Sequence, residues 1–363
     1  MTESLLAVKD CKMHGTRNNS QGGRKMNKGT KFLAGSVLAG ICGVLGIKKY
    51  IEYQEKYPVL DELKSPYYFT MPAWTITPTV SGLMNKWQNV DAVGQDDVVT
   101  TTRKITSYDG EEIVINIVEP KDYDGEEDLP CLVYSHGGAY ALGLSEFYFS
   151  VAAEYVKKVG CKVVLAHYRT MFEGSGDTCL EDCYAALKWT YDNAERLHID
   201  KNRIAIAGDS AGGGITASLT HMVRDREEVS VCYQILIYPV TDSSLSTESM
   251  KTYTDSPAWN AKANRQMWKE MKKRISPEME QYISALLCVN FSGLCNAYIE
   301  VEEFDCLHDE GVLYAEKLIQ NGYEVQLNDV KGTYHGFDVK EGKAIVRSVK
   351  EMRFAALRKA FGL

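Results

Sequence analysis

The sequence predicts an α/β domain, a mostly parallel central sheet flanked by helices on both faces. Two observations carry that expectation. After Pro130, short apolar runs alternate with helical stretches almost to the end of the chain. Within that alternation, Ile204-Ala205-Ile206-Ala207 reads as a buried strand, and Gly208-Asp209-Ser210-Ala211-Gly212-Gly213-Gly214 stops it and opens a helix over 215–223. At 363 residues and 45% hydrophobic, the chain can bury a large core, expected as one domain with an inserted or appended cap.

The amino end comes first. Residues 1–31 are polar and aperiodic and read as a disordered tail. Residues 32–47 are apolar, with Arg24, Lys25, Lys28 and Lys31 before them and Lys48 and Lys49 after. At about 1.5 Å per residue, such a helix covers about 24 Å of a roughly 30 Å hydrocarbon core. Three readings stay open for it. It is a membrane anchor that leaves the rest of the chain outside, a removed signal peptide, or a buried helix of a cytoplasmic protein. No small-x-small cleavage site stands out, which counts against the second.

Residues 50–96 carry Tyr57, Tyr67, Tyr68, Phe69, Trp74 and Trp87 among four prolines. Short helices and turns with exposed aromatics are expected there, as the amino-terminal part of a lid. From 97 the core begins with a hairpin, strands 98–105 and 111–118 joined through Tyr108-Asp109-Gly110. Strands follow at 131–135, 161–166, 203–207 and 232–238, with helices at 145–159 and 178–196. Residues 241–285 break the rhythm with Trp259, Trp268 and methionines, and read as the second part of the cap. The core, 97–240, resumes over 286–363 with a strand at 297–302, a helix at 309–320, a strand at 324–330 and a last helix from Lys340.

Composition excludes several functions. A net charge of −8 with no block of Lys or Arg argues against nucleic acid as a partner. The ten cysteines follow no paired spacing. Cys179 and Cys183 lie four apart, but no second Cys or His pair completes a metal set, so the thiols read as structural or free. No phosphate loop or dinucleotide fingerprint is present, and no cofactor or metal is expected.

Chemistry gathers around Ser210. A turn sharp enough to push its hydroxyl clear of the backbone crowds the neighbouring residues, and glycine at 208 and 212 relieves the crowding. The helix from Ala211 turns free N–H groups and its positive end toward the serine. Serine needs a base within hydrogen-bond reach, oriented by a carboxylate. After later strands the chain supplies Asp305, in Glu303-Phe304-Asp305-Cys306-Leu307, and His335, in Tyr334-His335-Gly336-Phe337. Glu302, Glu303 and Asp309 leave the acid open, since Asp305 could equally cap the next helix. His335 could likewise be a surface loop residue. A fourth piece, His136-Gly137-Gly138-Ala139-Tyr140, follows the strand 131–135. There the N–H groups of Gly137 and Gly138, with that of Ala211, would form an oxyanion hole.

In these four motifs, over about 111–337, the chain resembles the hormone-sensitive-lipase-like branch of the α/β-hydrolases, which are esterases and lipases. The resemblance implies the α/β-hydrolase fold with a helical cap, built from the amino-terminal segment and the insertion after Pro239. It implies Ser210 as nucleophile, His335 as base, Asp305 as acid, and the oxyanion hole at Gly137, Gly138 and Ala211. The expected activity is a serine carboxylesterase acting on short- to medium-chain acyl esters of small molecules. The rivals are an amide deacylase of the arylacetamide type and a non-catalytic small-molecule-binding fold, whose members lack the histidine that His335 supplies. Two positions depart from the pattern: Ala139 stands where a third glycine is usual, and His167 where aspartate is common.

Overall fold

The computed structural model describes residues 47–65, 70–87 and 97–363. The tail and nearly all of the apolar run 32–47 lie outside them. Eight strands form one sheet: β1 (Val98–Thr106), β2 (Glu112–Pro120), β3 (Leu129–Ser135), β4 (Lys162–His167), β5 (Ile199–Asp209), β6 (Tyr233–Ile237), β7 (Asn296–Glu302) and β8 (Val325–Val330). Their spatial order is β1-β2-β4-β3-β5-β6-β7-β8. The hairpin β1–β2 is antiparallel, β2 runs antiparallel to β4, and the six strands from β3 to β8 are parallel.

The helices are α1 (Ile47–Lys56), α2 (Pro78–Trp87), α3 (Glu146–Val159), α4 (Gly176–Asp192), α5 (Ala211–Arg226), α6 (Glu248–Thr252), α7 (Ala261–Met271), α8 (Glu280–Ile283), α9 (His308–Gln320) and α10 (Ala344–Phe361). Two of the boundaries that differ from expectation have local reasons. α4 starts early because Ser175 caps it, its hydroxyl accepting from Thr178 N while the Thr178 side chain answers the cap's own N–H. The last helix starts at Ala344 rather than Lys340, because Phe337–Val339 winds a separate turn and Gly342 follows with a φ of 82°.

The alternation in β5 sorts the two faces of the sheet. Ile204 and Ile206 pack with Cys179, Leu180 and Leu187 of α4 and with Ile215 and Leu219 of α5. Ala205 and Ala207 point to the other layer, where α3 and α10 bring Tyr155, Phe354 and Leu357. Small residues on one side make room for tyrosines, and branched ones fill the other. Both faces are covered, so the strand is apolar throughout.

From β3 the chain moves outward to β4, then returns to the other side of β3 for β5. The chain therefore leaves β3 and β5 in opposite senses at their carboxyl ends, the place where sheets of this kind gather their functional loops. Over that end of the sheet, residues 70–87 and 253–271 pack on one another. Thr70 bridges Ala258, and Asn260 Nδ2 donates to Thr70 Oγ1 and to Met71 O, each at 2.8 Å.

The amino-terminal aromatics do not all face solvent. Trp74 and Trp87 are exposed, but Tyr57 is buried against Phe304, Tyr334 and Phe337, its hydroxyl donating to Asp255 at 2.6 Å. Tyr67, Tyr68 and Phe69 lie outside the described residues. Among the described residues no helix is long and apolar enough to cross a membrane.

Candidate active site

β5 runs straight into Ser210, whose φ of 56° puts it in the left-handed region that non-glycine residues avoid. Three hydrogen bonds hold the strain: Ser210 N donates to Ile237 O at 2.8 Å, and its own carbonyl accepts from Gly214 N and Val240 N. The flanking glycines are there for space. A Cβ on Gly208 would overlap the Gly212 carbonyl, and one on Gly212 would overlap the carbonyl of Ser135. The turn closes directly onto the end of β3.

The residues expected as acid and base come to the same point. Ser210 Oγ lies 2.9 Å from His335 Nε2, and His335 Nδ1 lies 2.6 Å from Asp305 Oδ2. The Asp305 carboxylate can only accept, so Nδ1 carries the proton and Nε2 is left to accept from the serine hydroxyl. Asp305 is fully buried, and its second oxygen accepts from Leu307 N at 3.0 Å. The His335 ring is flanked by Tyr238, with centroids 4.6 Å apart, and by Trp259 at 6.1 Å.

The neighbouring acids do not reach His335, and Glu303 and Asp309 have partners of their own. Glu303 accepts from Gly332 N at 2.7 Å and so braces the loop that carries His335. Asp309 accepts from Ser249 N at 2.7 Å and pairs with His308. Glu302 is buried beside Glu300, and burial followed by the charges of Glu300 and Asp305 pushes it well above the usual carboxylate range. Among these four, Asp305 is the one that meets His335.

The loop after β3 corrects one expectation. The Gly137 N–H is not free for an oxyanion: it donates to Tyr148 Oη at 2.8 Å and to Asp209 Oδ1 at 3.2 Å. It points inward, away from the serine hydroxyl's side of the loop. Among the described residues the N–H groups of Gly138, Ala139 and Ala211 have no partner. The loop is strained, with φ of 126° at Gly138, 57° at Ala139 and 56° at Tyr140. His136 braces it from below. Burial pushes this histidine down to about 3, so it is neutral, and its Nδ1–H donates to Gly137 O at 2.7 Å. Its ring stacks on Tyr168, whose hydroxyl donates to the His136 carbonyl at 2.9 Å.

Sequence reasoning missed Tyr148, Tyr238 and Trp259. Each reaches the site from a separate element, and none belongs to a motif. Among the described residues no group of His, Cys, Asp or Glu is arranged to hold a metal ion. His167, where the resemblance leads to aspartate, is paired with Asn116, and Arg169 two residues on is clamped by Asp182 and Asp109.

Residues 132–339 match a family model described as the alpha/beta hydrolase fold. An ethyl acetate hydrolase of Pseudomonas putida is 30% identical over 234 residues, which cover 64% of this chain and 74% of that protein. A carboxylesterase of Mycobacterium tuberculosis, NlhH, is 33% identical over 218 residues, 58% of this chain and 67% of its own. Among solved structures, a bacterial heroin esterase superposes with a TM-score of 0.76 at 29% identity, covering 84% of this chain and 98% of that one.

Proposed function

This chain belongs to the α/β-hydrolase fold family, in its esterase and lipase branch, and is a carboxylic ester hydrolase; from that premise we propose that it cleaves short- to medium-chain acyl esters of small molecules through Ser210, His335 and Asp305. The observation that carries the reading is the hydrogen-bonded line from Ser210 Oγ through His335 to Asp305.

In that reading His335 Nε2 takes the Ser210 proton as Oγ attacks the ester carbonyl carbon. Asp305 holds the ring in the tautomer that leaves Nε2 unprotonated and stabilises the imidazolium that results. The carbonyl oxygen becomes an oxyanion, stabilised by the N–H groups of Gly138 and Ala211, with that of Ala139 beside them. The imidazolium then gives its proton to the departing alcohol. Water enters, loses a proton to His335 and attacks the acyl-serine carbonyl; as the bond from the acyl carbon to Ser210 Oγ breaks, the imidazolium returns that proton to Oγ and the acid leaves. No metal or cofactor takes part.

Residues 50–96 and 241–285 are taken as the two parts of a cap. The bonds from Asn260 to Thr70 and Met71, and that from Gln266 to Ile76, support this division. Anchoring through 32–47 is proposed from the basic and apolar pattern alone. Fractionation of cells expressing the full chain tests it, and full-length protein left in the supernatant after membranes are pelleted would dismiss it.

The test of the chemistry is a panel of 4-nitrophenyl esters of rising acyl length beside a matched anilide. Hydrolysis of the acetate and butyrate should exceed that of the anilide. Ser210→Ala should lower kcat by about 10⁴-fold or more with little change in KM, and Asp305→Asn by about 10³- to 10⁴-fold. A fluorophosphonate should label Ser210 and fail on the alanine variant. Labelling that survives the substitution would dismiss the assignment.

A further inference from the structure

Behind Ser210, on the face of the sheet away from α5, three polar groups converge on the Asp209 carboxylate. Tyr148 Oη, from α3, donates to Asp209 Oδ2 at 2.9 Å. Tyr134 Oη, from β3, donates to Oδ1 at 3.0 Å, and the Gly137 N–H reaches the same oxygen at 3.2 Å. Tyr148 does a second thing that Tyr134 does not: its oxygen accepts from Gly137 N at 2.8 Å. The Tyr148 hydroxyl therefore sits between the carboxylate and the backbone, donating to the carboxylate and accepting from the Gly137 N–H.

We propose that Tyr148 is a positioning residue for the ester hydrolysis: by holding the Gly137 N–H inward against Asp209, it turns the N–H groups of Gly138 and Ala139 toward the oxygen of the carbonyl that Ser210 attacks. This rests on the assignment of Ser210 as nucleophile. The physical reason is local. Gly138, Ala139 and Tyr140 all carry positive φ, a conformation that strains a non-glycine residue and persists only where the surroundings enforce it. At the far end Met171 N donates to Tyr140 O at 2.8 Å. Within the loop the Gly138 carbonyl accepts from Ala141 N and Leu142 N at 2.9 Å each, and at the near end Gly137 is held by the His136 ring on its carbonyl and by the Tyr148 hydroxyl, with Asp209 Oδ1 beside it, on its N–H. There is also no space for the loop to settle inward differently, since a Cβ on Gly137 would overlap the Asp209 carboxylate.

The group is buried and its chemistry is set. Burial and the charge of Asp209 push the Tyr148 hydroxyl well above its ordinary value, so it stays protonated and has a hydrogen for the carboxylate. The oxygen's lone pairs are then left for Gly137.

Tyr148→Phe and Tyr134→Phe separate positioning from structure. Each removes one buried hydroxyl from the same carboxylate and keeps the ring, but only the first takes a partner from the Gly137 N–H, leaving it the longer bond to Asp209 Oδ1. With 4-nitrophenyl acetate, Tyr148→Phe should lower kcat by about 10- to 100-fold, short of the full loss of an oxyanion donor, and leave KM within about threefold. A trifluoromethyl ketone, which binds Ser210 as a tetrahedral oxyanion, should lose affinity by the same factor. Tyr134→Phe should move kcat and ketone affinity by less than about threefold. Asp209→Asn, which puts an amide where the carboxylate accepted, should repeat the kcat-selective loss. Equal losses in the two Phe variants, a loss carried by KM, or unchanged ketone affinity in Tyr148→Phe would each overturn the proposal. Fluorophosphonate labelling of the native enzyme distinguishes the two failures. If Ser210 is not labelled, the nucleophile assignment falls; if it is labelled and Tyr148→Phe turns over normally, only the role of Tyr148 falls.

Discussion

Two loops meet at Ser210, and they are held in opposite ways. The loop after β3, residues 136–140, is gripped by its backbone: Tyr148 and Asp209 hold the Gly137 N–H, and His136 holds the Gly137 carbonyl. The loop after β8, residues 333–338, is gripped by its side chains. His335 is bonded to Asp305, Asp338 accepts from Tyr238 Oη and Arg353 Nη1 at 2.8 Å each, and Gly336 has open space where a Cβ would go. Behind the serine the two supports come close, and Asp209 and Asp338 line one cavity of about 20 Å³, room for a single water.

Their carboxylates are also shifted in opposite directions. Burial, then the charge of Asp338, pushes Asp209 up to about 6. Burial acts on Asp338 in the same direction, but the charge and hydrogen bond of Arg353 outweigh it and hold Asp338 below its ordinary value. Arg353 lines the same cavity but bonds to Asp338, not to Asp209, whose hydrogen bonds come from the Tyr134 and Tyr148 hydroxyls and the Gly137 N–H.

The largest expected effect follows from that ion pair. Arg353→Met leaves Asp338 and Glu300 buried without their cation and should cost about 3–5 kcal/mol in urea unfolding. A loss below about 1 kcal/mol would mean that the second loop does not hang on Asp338.

Next comes a difference in pH dependence. Asp209 titrates from 3.8 in the unfolded chain to about 6 when folded, so between those values the folded state holds the extra proton. Its contribution to stability is complete below about 4 and is lost as pH rises through about 6. Relative to Asp209→Asn, the native protein should lose up to about 3 kcal/mol over that window and nothing further above it. Urea midpoints at several pH values measure this, and parallel curves for the two proteins would sink it.

The smallest effects test the grip itself. Gly137→Ala should lower kcat by about 100-fold, because the new methyl displaces Asp209 and misaims the donors. Gly336→Ala should cost about 1 kcal/mol for its φ of 68° and leave kcat nearly unchanged. Equal activity losses at the two glycines would erase the contrast between the loops.

Much of this molecule was legible in the sequence because it is local. Strands of β-branched residues, helices after them and the glycines around Ser210 are fixed by periodicity and by what a sharp turn can accommodate. Asp305 and His335 were found because each follows a strand in a parallel sheet, where loops converge on one edge. Tertiary structure decided what local pattern does not encode. It brought Asp305 against His335 and gave Glu303 and Asp309 other partners, and it turned the Gly137 N–H inward. Both outcomes depend on contacts distant in sequence: Tyr148 to Asp209 spans 61 residues, and His335 to Ser210 spans 125. A glycine pair announces that its backbone is free to turn. Which way it turns is set by a hydroxyl on a helix, placed there by packing.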